Sequence, residues 1–187
     1  MNRVQIIHHF ISKNNYNSYL EIGTQKDKTF NAINIKTKVG VDPERGGTHR
    51  MSSDMFFAQN KEKFDIIFID GLHHSEQVLK DINNSLACLN KGGTIVVHDC
   101  LPVNEDMQKV PRIVKAWTGD CWLSFVYCRQ TKGNLKMYTI ETDMGCGIIQ
   151  RGRQTKLVIE GEVDFKGFEK NKKEWLNLIS VDEFLKL

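Results

Sequence analysis

Two nearly unbroken apolar runs, each closed by an acid, constrain this chain more than any other feature. Residues 64–70 read Phe-Asp-Ile-Ile-Phe-Ile-Asp, and residues 94–99 read Thr-Ile-Val-Val-His-Asp. A strand that is apolar on both faces must be covered on both, as in a parallel sheet held between helices. Between the runs, Val78, Leu79, Ile82, Leu86 and Leu89 recur every three or four residues, the period of a helix with one inward face. Strand, helix and strand in that order make a βαβ crossover, and an open, mostly parallel, doubly wound α/β sheet follows.

The same alternation runs through the first half of the chain. Val4, Ile6, Ile7, Phe10 and Ile11 predict an N-terminal helix within residues 1–15. Strands are expected at 19–23 and 38–42, the second stopped by Pro43. Short helices are expected at 29–35 and 54–60. Gly92-Gly93 is read as the end of the long helix, with Ser75 as its N-cap. Pro111 suits the first turn of a helix reaching Trp117. Segments 122–127 and 135–142 read as strands, 163–168 as a loop, and 169–179 and 181–187 as helices. The last of these opens with the capping box Ser180-x-x-Glu183. The chain divides into the N-terminal helix, a core sheet over 16–150 and a C-terminal extension over 151–187, all one domain, since 187 residues leave little room for two.

Composition narrows the function classes. With 40% hydrophobic and 26% charged residues the chain has the balance of a soluble globule. A net charge of +3 without a basic stripe gives nucleic acid no electrostatic footprint. No window nears the roughly 18 apolar residues of a spanning helix, and no signal-peptide core opens the chain. Five cysteines without a CxxC pair fit reduced thiols in the cytoplasm rather than a disulfide frame or a zinc site.

In an open α/β sheet, ligands bind beyond the carboxyl ends of the strands, where the strand order reverses. The polar residues expected at that rim are Glu21, Gly23 and Thr24, then Asp42, then Asp70 with His73 and His74, then His98 and Asp99. Gly23 lets a ligand approach the backbone; an ordinary β-to-α turn would look the same. Asp42, some twenty residues on, has the spacing of an acid that accepts hydrogen bonds from ribose hydroxyls, or it simply ends a strand before Pro43. A G-x-G-x-x-G fingerprint is missing, which argues against a dinucleotide.

Taken in order, Tyr19-Leu20-Glu21-Ile22-Gly23-Thr24, Val39-Gly40-Val41-Asp42-Pro43, residues 64–73 and residues 92–99 resemble the class I S-adenosylmethionine-dependent methyltransferases. The likeness is to a small bacterial-type branch with Ile-Asp-Gly-x-His and His-Asp-Cys strand ends. It continues in Trp117-x-Gly119-Asp120-x-Trp122 and Asp143-x-Gly145-x-Gly147. The resemblance implies a seven-stranded Rossmann-like sheet with helices on both faces and S-adenosylmethionine as cofactor. It places Glu21, Gly23 and Thr24 on the methionine and ribose part, Asp42 on the ribose, Ser53 and Asp54 beside the adenine, and Asp70 toward the sulfonium. The family's glycine-rich first loop is here Gly23-Thr24-Gln25-Lys26-Asp27-Lys28, with one glycine.

The reaction expected is methyl transfer to an oxygen of a small molecule or sugar. His73, Asp70 and Asp99 are the candidate catalytic residues, with His73 as general base or as a histidine packed at a helix entry. Some relatives with this fold hold a divalent cation at matching positions, so Asp70, His98 and Asp99 are candidate ligands for an ion such as magnesium. Trp117 and Trp122 belong either to the acceptor wall or to the core. Two other readings stay open. The glycine-poor loop suits a catalytically silent nucleotide-binding module, and the two-histidine, two-acid rim suits a metal-dependent oxygenase.

Overall fold

The computed structural model describes residues 1–187. The strands are β1 (Ser18–Ile22), β2 (Thr37–Val41), β3 (Phe64–Ile69), β4 (Leu89–Val97), β5 (Leu135–Ile140), β6 (Cys146–Arg151) and β7 (Leu178–Ile179). The helices are α1 (Arg3–Asn14), α2 (Lys28–Ala32), α3 (Ser53–Gln59), α4 (Ser75–Cys88), α5 (Glu105–Gln108), α6 (Cys121–Thr131), α7 (Phe165–Trp175) and α8 (Val181–Phe184). All seven strands form one sheet in the order β2-β1-β3-β4-β6-β5-β7. β2, β1, β3 and β4 pair in parallel, whereas β6 runs antiparallel to both β4 and β5. The doubly wound, mostly parallel, seven-stranded sheet expected from the sequence is therefore present.

Side-chain alternation explains the two layers. Leu20, Ile22, Ile67, Ile69, Ile95 and Val97 face one core, shared with residues of α3, α4, α6 and α7. Tyr19, Ile66, Phe68, Val96 and Ile148 face the other, shared with residues of α1, α2 and α8. Each fully buried aliphatic or phenyl side chain contributes roughly 1.5–3 kcal/mol. The order reverses between β1 and β3, because β1 leads to β2 on one side while β3 lies on the other. That opens a cleft at their carboxyl ends.

Several sequence expectations need correction. Residues 122–127 are the middle of helix α6, not a strand. Trp122, Phe125, Val126 and Arg129 all face inward, and a helix buried nearly all round loses the polar face that marks its period. Residues 111–117 form no helix; the short α5 precedes them. Helix α4 stops at Cys88 rather than at Gly92-Gly93, and β4 runs through both glycines. Segment 163–168 is not a loop, since α7 begins at Phe165 under an Asp164 cap. β6 was not anticipated at all. The capping box of α8 forms as expected from Ser180 and Glu183.

Ser75 is not the N-cap of α4. His74 holds that position without a side-chain bond, and the cap comes from far along the chain. Asp120 accepts hydrogen bonds from the Ser75 backbone N–H at 2.6 Å and hydroxyl at 2.9 Å. The segment Trp117-x-Gly119-Asp120-x-Trp122 thus divides its work. Trp117 lies parallel to the His73 ring at 5.2 Å, and Trp122 is buried against Phe168 and Trp175. Gly119, at φ +60°, presses so near His73 that a Cβ would stand 1.8 Å from its carbonyl oxygen. We expect Asp120→Ala to cost about 1 kcal/mol through loss of the cap, seen as a lower urea midpoint with an unchanged slope.

Candidate active site

Backbone hydrogen bonds carry the register of the sheet past the strand ends. Gly23 N–H donates to Val41, Asp70 N–H to Ile22 and His98 N–H to Ile69, all within 2.8–2.9 Å. Glu21, Gly23, Asp42, Asp70, His98 and Asp99 are held side by side on one rim, around a cavity of about 950 Å³. Thr24, Ser53, Asp54 and His73 also line it, whereas His74, expected at the rim, does not. The floor is tight. A Cβ on Gly23, at φ +91°, would lie 2.1 Å from the Asp70 carbonyl oxygen, so no other residue fits there.

The glycine-poor first loop still makes left-handed turns. Gln25 has φ +47° and Asp27 φ +58°, so residues 23, 25 and 27 all stand in the region glycine occupies without strain. Side chains hold it there. Asp42 accepts the Gln25 N–H at 2.8 Å, and Asp27 accepts the Gly47 N–H at 2.7 Å. The other Asp42 oxygen accepts the N–H groups of Glu44 and Arg45. Glu21, 1% exposed, accepts the Tyr19 hydroxyl at 2.5 Å. Burial raises its pKa to about 8, the Tyr19 bond opposes that rise, and Asp70 and Asp27 add to it.

The other end of the cavity is a charge cluster. His73 Nε2 lies 3.2 Å from Asp70 Oδ1, and its Nδ1 lies 3.2 Å from Asp99 Oδ2. His98 sits behind, with Nδ1 3.0 Å from Asp99 and 3.4 Å from Asp70, and Nε2 3.6 Å from Asp143. Burial opposes charge on both rings, and the surrounding carboxylates outweigh it. Both pKa values are raised, that of His98 well above the usual imidazole value. Burial likewise pushes Asp70 and Asp143 up. The histidines and Arg3 more than reverse this, holding both far below the usual carboxylate range.

Arg3 and Asp143 complete the cluster. Asp143 sits in the β5–β6 turn, which the antiparallel hairpin brings to the same rim. Arg3, the first residue of α1, donates to both Asp143 oxygens at 2.9 Å and to Asp70 Oδ2 at 2.8 Å. Sequence reasoning placed Asp143 in a motif without a role and missed Arg3. The two are 140 residues apart, beyond the reach of any spacing rule. Cys100, beside Asp99, is fully buried, and burial pushes its thiol pKa well up, as suits a packing residue. We expect Arg3→Ala to cost about 1–2 kcal/mol, because two partly buried carboxylates lose their cation. In a double-mutant cycle Arg3→Ala and Asp143→Asn should couple by about 1 kcal/mol, measured by urea unfolding.

Comparison with known proteins agrees with this geometry. The family described as "Methyltransferase domain" matches residues 8–100. Among solved structures, the O-methyltransferase TomG from Streptomyces achromogenes, in complex with S-adenosylmethionine, is 14% identical. The match covers 80% of this chain and 79% of that one, with a TM-score of 0.62. The O-methyltransferase from Bacillus cereus, in complex with S-adenosylhomocysteine, is 14% identical over 79% and 78% of the two chains, with a TM-score of 0.56. MycE, from the mycinamycin biosynthetic pathway, is 15% identical over 84% of this chain and 51% of that one, with a TM-score of 0.53. A comparison with curated proteins returned no match. No helix is long and apolar enough to cross a membrane. Residues 8–100 thus match a methyltransferase domain, and the doubly wound sheet has the fold of solved O-methyltransferases.

Proposed function

We propose that the protein transfers the methyl group of S-adenosylmethionine to an oxygen of a small-molecule acceptor, with His73 taking the proton. The observation that carries this is one cavity lined by Asp42, Ser53 and Asp54 and also by a histidine–carboxylate cluster at His73, Asp70 and Asp99. Asp42 uses three of its four lone-pair sites on backbone N–H groups, two on Oδ1 and one on Oδ2, and Oδ2 keeps one for a ribose hydroxyl. Gly23 and Thr24 would border the methionine part, where Glu21 offers its ammonium an acid. Ser53 and Asp54 would flank the adenine, and Asp70 would face the sulfonium. The solved relatives with S-adenosylmethionine or its demethylated product bound support this cofactor.

The chemistry asks for alignment and one proton acceptor. To act as base, His73 would keep its Nδ1 proton on the Asp99 side and exchange its Nε2 contact with Asp70, at 3.2 Å, for the acceptor O–H. As the C–O bond forms, the C–S bond breaks and the sulfonium becomes a neutral thioether. The hydroxyl proton passes to Nε2. Trp117, parallel to the His73 ring, fixes the ring and supplies an apolar wall beside the acceptor.

A divalent cation is a second reading, favoured by the magnesium in the MycE complex. Asp70, His73 and Asp99 present ligand atoms within 4.8 Å of one another, and the buried Nδ1 of His73 and both ring nitrogens of His98 lack hydrogen-bond partners. That donor set would hold a cation through Asp70, His73 and Asp99; His98, whose Nδ1 lies 3.0 Å from Asp99 and 3.4 Å from Asp70, would be the imidazole that leaves His73 free as base. When bound, such an ion lowers the pKa of a coordinated hydroxyl.

The tests separate these parts. At about a hundred times its dissociation constant, S-adenosylhomocysteine should stabilise the wild type by ~2.7 kcal/mol in a thermal-shift titration, and Asp42→Ala should lose most of that. No shift in the wild type would sink the cofactor assignment. His73→Gln should keep cofactor affinity while lowering kcat on an accepted hydroxyl substrate by about 100-fold. Activity that survives dialysis against EDTA and shows no calorimetric magnesium binding would eliminate the cation reading.

A further inference from the structure

We propose that Gln77 reads the exocyclic amino group of the cofactor's adenine, with Asp81 as the buried residue that fixes the orientation of the Gln77 amide; this rests on the cofactor assignment above. Gln77 lines the cavity together with Ser53 and Asp54. Its amide nitrogen lies 3.2 Å from Ser53 Oγ, 3.0 Å from Asp54 Oδ1 and 3.2 Å from Asp81 Oδ1. Two carboxylates and a hydroxyl around one end admit only the NH₂ group, since a carbonyl oxygen turned that way would face two acids. The amide is therefore oriented by its neighbours.

Asp81 makes that orientation firm. It is 1% exposed, one turn along α4 from Gln77, and cannot swing into water. Burial raises its pKa to about 6 while bonds from Ser53 and Gln77 oppose the rise, so the carboxylate form prevails at neutral pH. With the NH₂ group committed, Oε1 is the one polar atom of the amide that makes no hydrogen bond within the protein, and it can only accept. Adenine carries a donor at its 6-position, whereas hypoxanthine carries an acceptor oxygen there. A fixed acceptor at Gln77 selects the first and opposes the second.

The test is calorimetric titration of the full chain with S-adenosylhomocysteine and with its deaminated analogue S-inosylhomocysteine. The wild type should prefer the adenine compound by at least about tenfold, the scale of one hydrogen bond. Gln77→Leu should bring the two within about threefold while still binding S-adenosylhomocysteine, and Asp81→Asn, whose amide tolerates either Gln77 orientation, should fall between. A merely structural role for Asp81 would weaken both ligands alike and leave their ratio untouched, which would overturn its part. Equal binding by the wild type, or the full preference surviving in Gln77→Leu, would overturn the proposal for Gln77. A wild type that binds neither ligand would instead defeat the cofactor assignment, and this inference with it.

Discussion

The structure depends on a hydrogen-bond ladder that does not stop where the strands stop. Because Gly23, Asp70 and His98 each donate one further bond to the neighbouring strand, the side chains just beyond β2, β1, β3 and β4 are fixed in register. A flexible rim would spend ordering entropy on every ligand it met; this one has spent it on folding. The same ladder explains Gly23. Bringing β1 and β3 into register puts the Asp70 carbonyl where a Cβ would be, and the cleft between those strands exists only because that atom is missing.

Charge is the second organising term. Asp70, Asp99 and Asp143 converge from three separate turns, and an unpaired carboxylate in such a place would be costly. Arg3 and the two imidazoles answer that cost, which is why their pKa values and those of Asp70 and Asp143 are displaced in opposite directions. The end of the cavity at Asp70, His73 and Asp99 is therefore a balanced polar network rather than an apolar slot. It also closes the fold, since Arg3 ties the start of α1 to the β5–β6 turn.

The half of the rim at Gly23, Asp42 and Asp70 was legible in the sequence because it is built from strand ends, and strand ends are announced by local pattern. The apolar run into Asp70, the glycine after Ile22 and the acid before Pro43 each lie within a few residues of the strand that places them. The other half was not, because its contacts are long-range. Arg3 meets Asp143 across the chain, Asp120 caps a helix 45 residues upstream of it, and Trp117 reaches His73 through a segment with no regular structure. Misreading α6 as a strand has a related cause. Burial on nearly all sides erased the polar face, and an apolar stretch with aromatic and β-branched residues then fits either period.

The two halves are prepared for their ligands by different physics. At one end, Asp42 joins the loop after β1 to the loop after β2 through three backbone N–H groups, so its orientation is settled before any ligand arrives. Backbone donors cannot rearrange without unmaking the turns that present them. At the acceptor end the positions of Asp70 and His73 depend on side chains whose charges balance, and such a balance shifts when a ligand brings charge or removes water. A sulfonium cation entering beside Asp70 would compete with Arg3 and His98 for the same carboxylate.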